Sequence, residues 1–276
     1  MKRKIIGAAF TALMTGEAAL ASNHQIEEVT IVGSVDDARV LAGTGSVISP
    51  EQIQIQATGD INRLLKTVPG VYIVEEDGYG LRPNIGIRAA TAERSEKITL
   101  MEDGVLIAPA PYSNPAAYYF PTALRMSSIE VLKGAPLLRY GPQTTGGVVN
   151  MVSTPIPDEM RGNVNLAYGE NNEINALVNH GGRVDDFSYL VETAQRRSDG
   201  FKKIDRTHAD TGFDLHDYLA KLGWEGERQS VLLKAQYSEE TSDETYLGLT
   251  DVDFDNDAVR RYGLSSIDQM KNDHEG

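Results

Sequence analysis

Beyond Pro155-Ile156-Pro157 the chain repeats with a period of two. Val164, Leu166 and Tyr168 alternate with Asn163, Asn165 and Ala167, and Ile174, Ala176 and Val178 with Asn175, Leu177 and Asn179. The same zigzag recurs through Phe187, Tyr189 and Val191, through Tyr218, Leu222 and Trp224, and through Val231, Leu233 and Tyr237. Side chains of a strand alternate between two faces, so each segment reads as a strand with one apolar face. Segments of roughly ten residues with aromatics towards their ends are the pattern of a transmembrane β-barrel. Connectors of unequal length fit that pattern: Glu170-Asn171-Asn172 and Gly181-Gly182-Arg183 read as short turns, the stretches 196–214 and 239–259 as long charged loops. A soluble antiparallel sheet with one wet face would show the same periodicity. A barrel needs at least about eight strands. The expectation is therefore the N-terminal part of a longer barrel protein, or a truncated reading frame.

The opposite end of the chain favours the membrane. Lys2, Arg3 and Lys4 precede an apolar stretch over residues 5–16, and Ala19-Leu20-Ala21 supplies small residues at a cleavage site. This order reads as a secretory signal peptide over residues 1–21. Composition then removes whole classes of function. The 276 residues contain no cysteine, 26 basic and 40 acidic side chains, for a formal net charge of −14. Thiolate metal sites, disulfides and cysteine nucleophiles are excluded, and an acidic chain is poorly suited to nucleic acid. Neither a nucleophile elbow nor a His-Glu-x-x-His motif is present, so no enzyme is indicated.

Between leader and zigzag the text is mixed. Ser49-Pro50-Glu51 reads as the start of a short helix, and Ile61, Leu64, Leu65 and Val68 form the apolar face of a second one, stopped by Pro69-Gly70. Short strand-like runs follow at 71–74, 85–87, 98–101, 129–132 and 148–152, separated by turns rich in glycine and proline. The domains expected are a leader over 22–34, a small α+β domain over 35–155, and barrel strands over 156–276.

Particular residues in this half carry a resemblance. Asp60 to Val71, Arg82-Pro83-Asn84-Ile85-Gly86-Ile87-Arg88, Glu102-Asp103-Gly104-Val105, and Ile107 to Tyr112 occur in order. Ile129-Glu130-Val131-Leu132-Lys133-Gly134 and Tyr140 to Asn150 complete the series. The series resembles the plug domain of TonB-dependent outer-membrane receptors, and the run of alanine, proline and tyrosine is most similar to the ferric citrate receptor branch. Ala89 departs from it, standing where the family usually has glycine. Glu28-Val29-Thr30-Ile31-Val32 resembles a TonB box, although a simple first strand is an equal reading of those residues.

The resemblance implies an α+β plug domain followed by the first antiparallel strands of a large transmembrane β-barrel. It implies an outer-membrane location, TonB as energising partner and a ferric chelate as transported ligand, with no resident cofactor. A truncated product that does not transport, or a receptor for a non-iron substrate, are the alternatives. Arg82, Arg94, Tyr112, Asn114 and Tyr118 are the expected ligand contacts, because guanidinium and hydroxyl groups suit carboxylates. Arg88, Glu102, Arg125, Glu130 and Arg139 lie in or beside strands, where charge is costly unless paired, and are expected to form ion pairs within the plug or to the barrel. Two clusters carry the residue types of a metal site, Asp251 with Asp253, Asp255 and Asp257, and His208 with Asp210, Asp214 and His216. The first lacks the glycine and glutamate of a calcium loop and the second lacks ligand spacing, so both read as polar loops.

Overall fold

The computed structural model describes residues 30–40, 44–56, 58–107, 119–134, 140, 145–245, 247–267 and 271–276. The expected signal peptide over residues 1–21, Glu28, Val29, Tyr112, Asn114, Tyr118 and Arg139 therefore lie outside the described residues.

The N-terminal domain opens with α1 (Val35–Val40), β1 (Thr44–Ile48) and α2 (Pro50–Gln56). Both helices start on reciprocal caps. Asp37 N–H donates to Ser34 Oγ at 3.1 Å while Ser34 N–H donates to Asp37 Oδ2 at 2.9 Å. Gln52 and Ser49 exchange bonds in the same way. Next come α3 (Ile61–Leu65), β2 (Val71–Val74), β3 (Asn84–Ile87), β4 (Ile98–Glu102), β5 (Val105–Leu106), β6 (Met126–Lys133) and β7 (Gly147–Ser153). Asp60 caps α3 by accepting from Asn62 N–H at 2.8 Å. This helix is shorter than its apolar face suggested. Val68 is buried in the turn that follows, before Gly70 at φ +79°.

A sheet of order β1-β6-β7-β4-β5 forms the centre of the domain, with β2 and β3 as a separate hairpin. Ile61, Leu64, Leu65, Ile85, Ile98, Leu100, Ile129 and Met151 fill the core. At about 25 cal/mol per Å² of apolar surface removed from water, this cluster is the main source of the domain's stability.

The zigzag segments become β8 (Arg161–Tyr168), β9 (Ile174–Val184), β10 (Phe187–Ser198), β12 (Phe213–Glu225) and β13 (Ser230–Asp243). With β15 (Lys271–Glu275) they form one antiparallel sheet of order β15-β13-β12-β10-β9-β8. Between them lie β11 (Lys203–Ile204), α4 (Asp251–Asn256), β14 (Arg260–Arg261) and α5 (Leu264–Ile267), with β11 and β14 paired in parallel.

The two faces of this sheet decide which reading of the zigzag holds. Phe187, Val191, Tyr218, Leu222, Val231 and Leu233 are all exposed, whereas Glu192, Arg196, Asp217, Lys221 and Glu240 are buried against the N-terminal domain. A soluble sheet buries its apolar face. This one does the reverse, as a barrel wall with lipid outside and a polar lumen inside must. The strands are the beginning of a barrel around an α+β domain.

The structure corrects two expectations about loops. Gly181, Gly182 and Arg183 lie inside β9, and the turn falls at Asp185-Asp186. The glycines answer to crowding: a Cβ on Gly181 would sit 2.6 Å from the Tyr189 carbonyl oxygen, and one on Gly182 2.8 Å from Met160. The aspartate run 251–257 is largely the helix α4, capped when Thr250 Oγ1 accepts from Asp253 N–H at 3.2 Å. Asp253 is engaged by Arg260 at 2.8 Å and by the Tyr262 hydroxyl at 2.6 Å, and no cluster able to hold a metal occurs among the described residues.

Ala89 has φ +65°, next to Arg88 at φ +51°. A left-handed alanine costs about 1–2 kcal/mol, and a glycine there would forfeit about 0.4–1 kcal/mol through a freer unfolded chain. Ala89→Gly is therefore expected to stabilise the domain by roughly 0.5–1 kcal/mol, read as a higher midpoint of thermal unfolding in detergent.

Candidate functional site

The site is the contact between the N-terminal domain and the barrel wall. Its centre is Arg125, at the end of a single 3₁₀ turn (Ala123–Arg125) begun by Thr122. The side chain is 0% exposed. It grips Glu102 at the end of β4 with two parallel bonds, Nη1 to Oε1 at 2.6 Å and Nη2 to Oε2 at 2.8 Å. Nη2 also donates to the Tyr119 hydroxyl at 3.1 Å, and Nε forms an ion pair at 2.9 Å with Asp217 on β12.

Glu102 begins a tight turn through Asp103 at φ +48° and Gly104 at φ +74°. Asp103 accepts from Ser153 N–H at 2.8 Å and Ser153 Oγ at 2.6 Å, which fixes the carboxylate against β7. From the wall, Lys234 of β13 donates to Asp103 at 2.6 Å and also to Glu102. Lys221 of β12 donates to the Thr154 carbonyl at 2.8 Å and approaches Asp103 at 3.9 Å. Burial pushes both carboxyl groups up, but the cations prevail: Arg125 and Lys234 hold Glu102 below its ordinary 4.5, and Lys221 and Lys234 hold Asp103 below its ordinary 3.8.

A second contact grows from the loop between β2 and β3. Asp77 accepts from the N–H groups of Gly80 at 2.7 Å and Arg82 at 3.0 Å, and from that of Tyr79, winding the loop about one carboxylate. The winding aims Arg82 at the end of β13, where it donates to Glu240 and to Ser242 at 3.3 Å, and to Glu244 just beyond the strand at 2.8 Å. Tyr79 packs edge-on against Phe201 and tilted against Phe213, 5.5 and 4.8 Å between ring centroids. Its carbonyl receives Arg196 Nη2 at 3.0 Å.

The leader is attached to β6. The N–H groups of Ile31, Val32 and Gly33 all donate to Glu130, at 2.8, 2.9 and 2.6 Å.

Comparison with known proteins now assigns this arrangement. Residues 37–148 match the family described as the TonB-dependent Receptor Plug Domain. Residues 37–148 thus form a plug domain of the kind TonB-dependent receptors carry. It is similar to the solved ferric citrate transporter FecA in unliganded form, with TM-score 0.70 and 25% identity over 83% of this chain and 36% of that one. It shares the fold of the ferripyoverdine receptor of Pseudomonas aeruginosa, at TM-score 0.62 and 16% identity over 74% and 26%. Among curated relatives, the vitamin B12 transporter BtuB of Vibrio vulnificus (strain YJ016) is 24% identical over 208 residues, 73% of this chain and 33% of the relative. The chain thus spans about a third of the length of the relatives it matches.

The plug places the expected residues as follows. Glu102 and Arg125 are together, and their partners Asp217 and Lys234 make the cluster a plug-to-barrel clamp. Arg82, expected at the ligand, is 6% exposed and committed to Glu240 of β13 and Glu244 just after it, because the Asp77 turn points it outward from the plug. Arg94 is partly exposed in a turn at φ +48° and pairs with Glu76 at 2.8 Å. Arg88 and Glu130 do not form the expected ion pairs among the described residues. Arg88 ends β3 in an exposed left-handed position and donates to Thr44 Oγ1 at 2.9 Å. Glu130 takes backbone donors instead of a cation. Asp77, Asp217, Lys221, Lys234, Glu240 and Glu244 were missed. All but Asp77 and Glu244 stand in the inward phase of their zigzag, which is the signal that could have found them.

Removing one partner from a buried pair leaves an uncompensated charge, which costs about 3–5 kcal/mol. Arg125→Met, which keeps bulk and strands Glu102 and Asp217, should destabilise the chain by about that amount in denaturant titration. The depressed pKa values of Glu102 and Asp103 give the part of the clamp that these two carry a pH dependence of definite sign. Its contribution is complete above the ordinary values of 4.5 and 3.8 and is lost as pH falls through the lower folded values. Protease protection of the plug should hold from neutrality to about pH 5 and fail only in stronger acid.

Proposed function

We propose that the chain is the plug and first wall strands of an outer-membrane receptor that imports a ferric chelate, such as ferric citrate or another siderophore. The supporting observation is the leader at residues 31–33 fastened to a plug that is itself clamped to a lipid-facing wall. A plugged barrel needs a force to open it. A leader over residues 22–34 that carries Glu28, Val29, Thr30, Ile31 and Val32 can add as a strand to the sheet edge of a partner such as TonB, main-chain bonds giving the grip. Residues 1–21 serve as the export signal. Arg94, with Tyr112, Asn114 and Tyr118, is the set we assign to ligand contact, while Arg82 serves the wall.

The similarity to the ferric citrate transporter FecA supports iron as cargo. A second reading is a corrinoid, favoured by the similarity to vitamin B12 transporters. Uptake by receptor-null cells carrying the intact gene, supplied in turn with ferric citrate, other ferric chelates and cobalamin, separates them. Import of cobalamin alone would overturn the iron assignment.

Thr30→Pro removes a main-chain donor from the segment offered to the partner while leaving the three N–H groups bound by Glu130. Import should be abolished with ligand binding unchanged; equal loss of binding would reject the box. Arg94→Ala should weaken binding of an anionic chelate about tenfold, the worth of one charge-assisted hydrogen bond, in a direct titration.

A further inference from the structure

Glu130 occupies the middle of β6 with β1 on one side and β7 on the other, paired across to Val47 and Asn150. It is 0% exposed. A buried carboxylate is ordinarily matched by a cation. Among the described residues no lysine or arginine lies within ion-pair distance of Glu130. Its donors are the consecutive N–H groups of Ile31, Val32 and Gly33, and Asn150 Nδ2 at 2.8 Å. Three successive amides converge on one carboxylate because Gly33 turns the chain at φ +90°, a left-handed position that favours glycine.

We infer that Glu130 is the latch of the leader, the group whose satisfaction depends on residues 31–33 staying docked. When the leader departs, Glu130 keeps Asn150 and loses three charge-assisted bonds inside the plug. Val32 adds an apolar component, seated with Met101, Leu132 and Val148. The latch is also joined to the wall clamp. Asn150 Oδ1 accepts from Gly104 N–H at 2.9 Å, and Gly104 follows the Asp103 that Lys234 holds. One side chain therefore bonds both the acceptor of the leader and the turn that grips the barrel. The purpose of the latch rests on the transport reading, whereas docking itself requires neither ligand nor partner.

These 276 residues contain no cysteine, and the receptor without an added cysteine in this part sets the labelling background. Val32→Cys, at a buried position, is treated with a maleimide in outer membranes from cells lacking TonB, without ligand. Alone it should react slowly. Combined with Glu130→Gln, or with Ile31→Pro, which deletes one donor and leaves Glu130 in place, it should react roughly tenfold faster or more. Ile31→Val, which keeps the N–H, should not accelerate it. Val149→Cys, 0% exposed in the plug core, should stay unreactive in every background. Unchanged labelling of Val32→Cys overturns the latch, and so does equal acceleration at Val149→Cys, which would mean that the whole plug had loosened. If Glu130→Gln fails to accumulate, Ile31→Pro decides alone. Faster labelling in a receptor that imports no chelate would overturn the transport reading and leave the latch standing.

Discussion

A guanidinium wholly withdrawn from water has to be surrounded by acceptors, and the placing of Arg125 organises the rest of this molecule. Its fork fixes Glu102 at the end of β4, and its third nitrogen reaches Asp217 on the wall. The turn at Asp103-Gly104 must then face the barrel, which brings Lys221 and Lys234 into range. Ion pairs of this kind contribute little net stability compared with apolar packing, since desolvation consumes most of the attraction. Their geometry is specific, however, and polar contacts between two bodies can be broken and remade in a wet lumen more readily than a fused apolar core. The plug's own interior, rich in Ile, Leu and Val, is kept separate from this polar boundary.

Much of the fold was legible because backbone periodicity reports faces directly. The zigzag located β8, β9, β10, β12 and β13, and the inversion of buried and exposed faces turned an ambiguous antiparallel sheet into a barrel wall. Strand ends were less legible. β10 runs to Ser198 and β13 to Asp243, past the apolar stretches, because wall strands carry charged residues where they rise beside the plug. The glycines at 181 and 182 looked like a turn from composition alone, and only the approach of the Tyr189 carbonyl, Pro157 and Met160 explains them.

The site was half legible, for a related reason. Periodicity states which face a charge occupies but not what lies opposite. Glu102 and Arg125 were correctly marked as charges needing partners, yet nothing in one sequence tied them to Asp217 or Lys234, more than ninety residues downstream. Arg82 looked like a loop residue free to meet a ligand. Its direction is set by Asp77, whose carboxylate collects successive amides and leaves the guanidinium nowhere to go except β13. Glu130 looked like half of an ion pair, but its partners are main-chain groups, which every residue carries and no sequence pattern advertises.

The two attachments of the plug differ in how they bear a load. At the wall, Arg125 and Lys234 hold the Glu102-Asp103 turn from two strands at once, so their bonds act in parallel and several must fail together. At the leader, the donors come from consecutive residues, so a pull applied upstream of residue 30 reaches Ile31 first, then Val32, then Gly33. Each such bond to a charged acceptor contributes about 1.5–3 kcal/mol, and bonds broken in series never present more than one of these barriers at a time. On the transport reading, the leader therefore comes free under a force that leaves the clamp intact. What it leaves behind is a buried carboxylate short of donors, bonded through Asn150 to the turn that Lys234 holds.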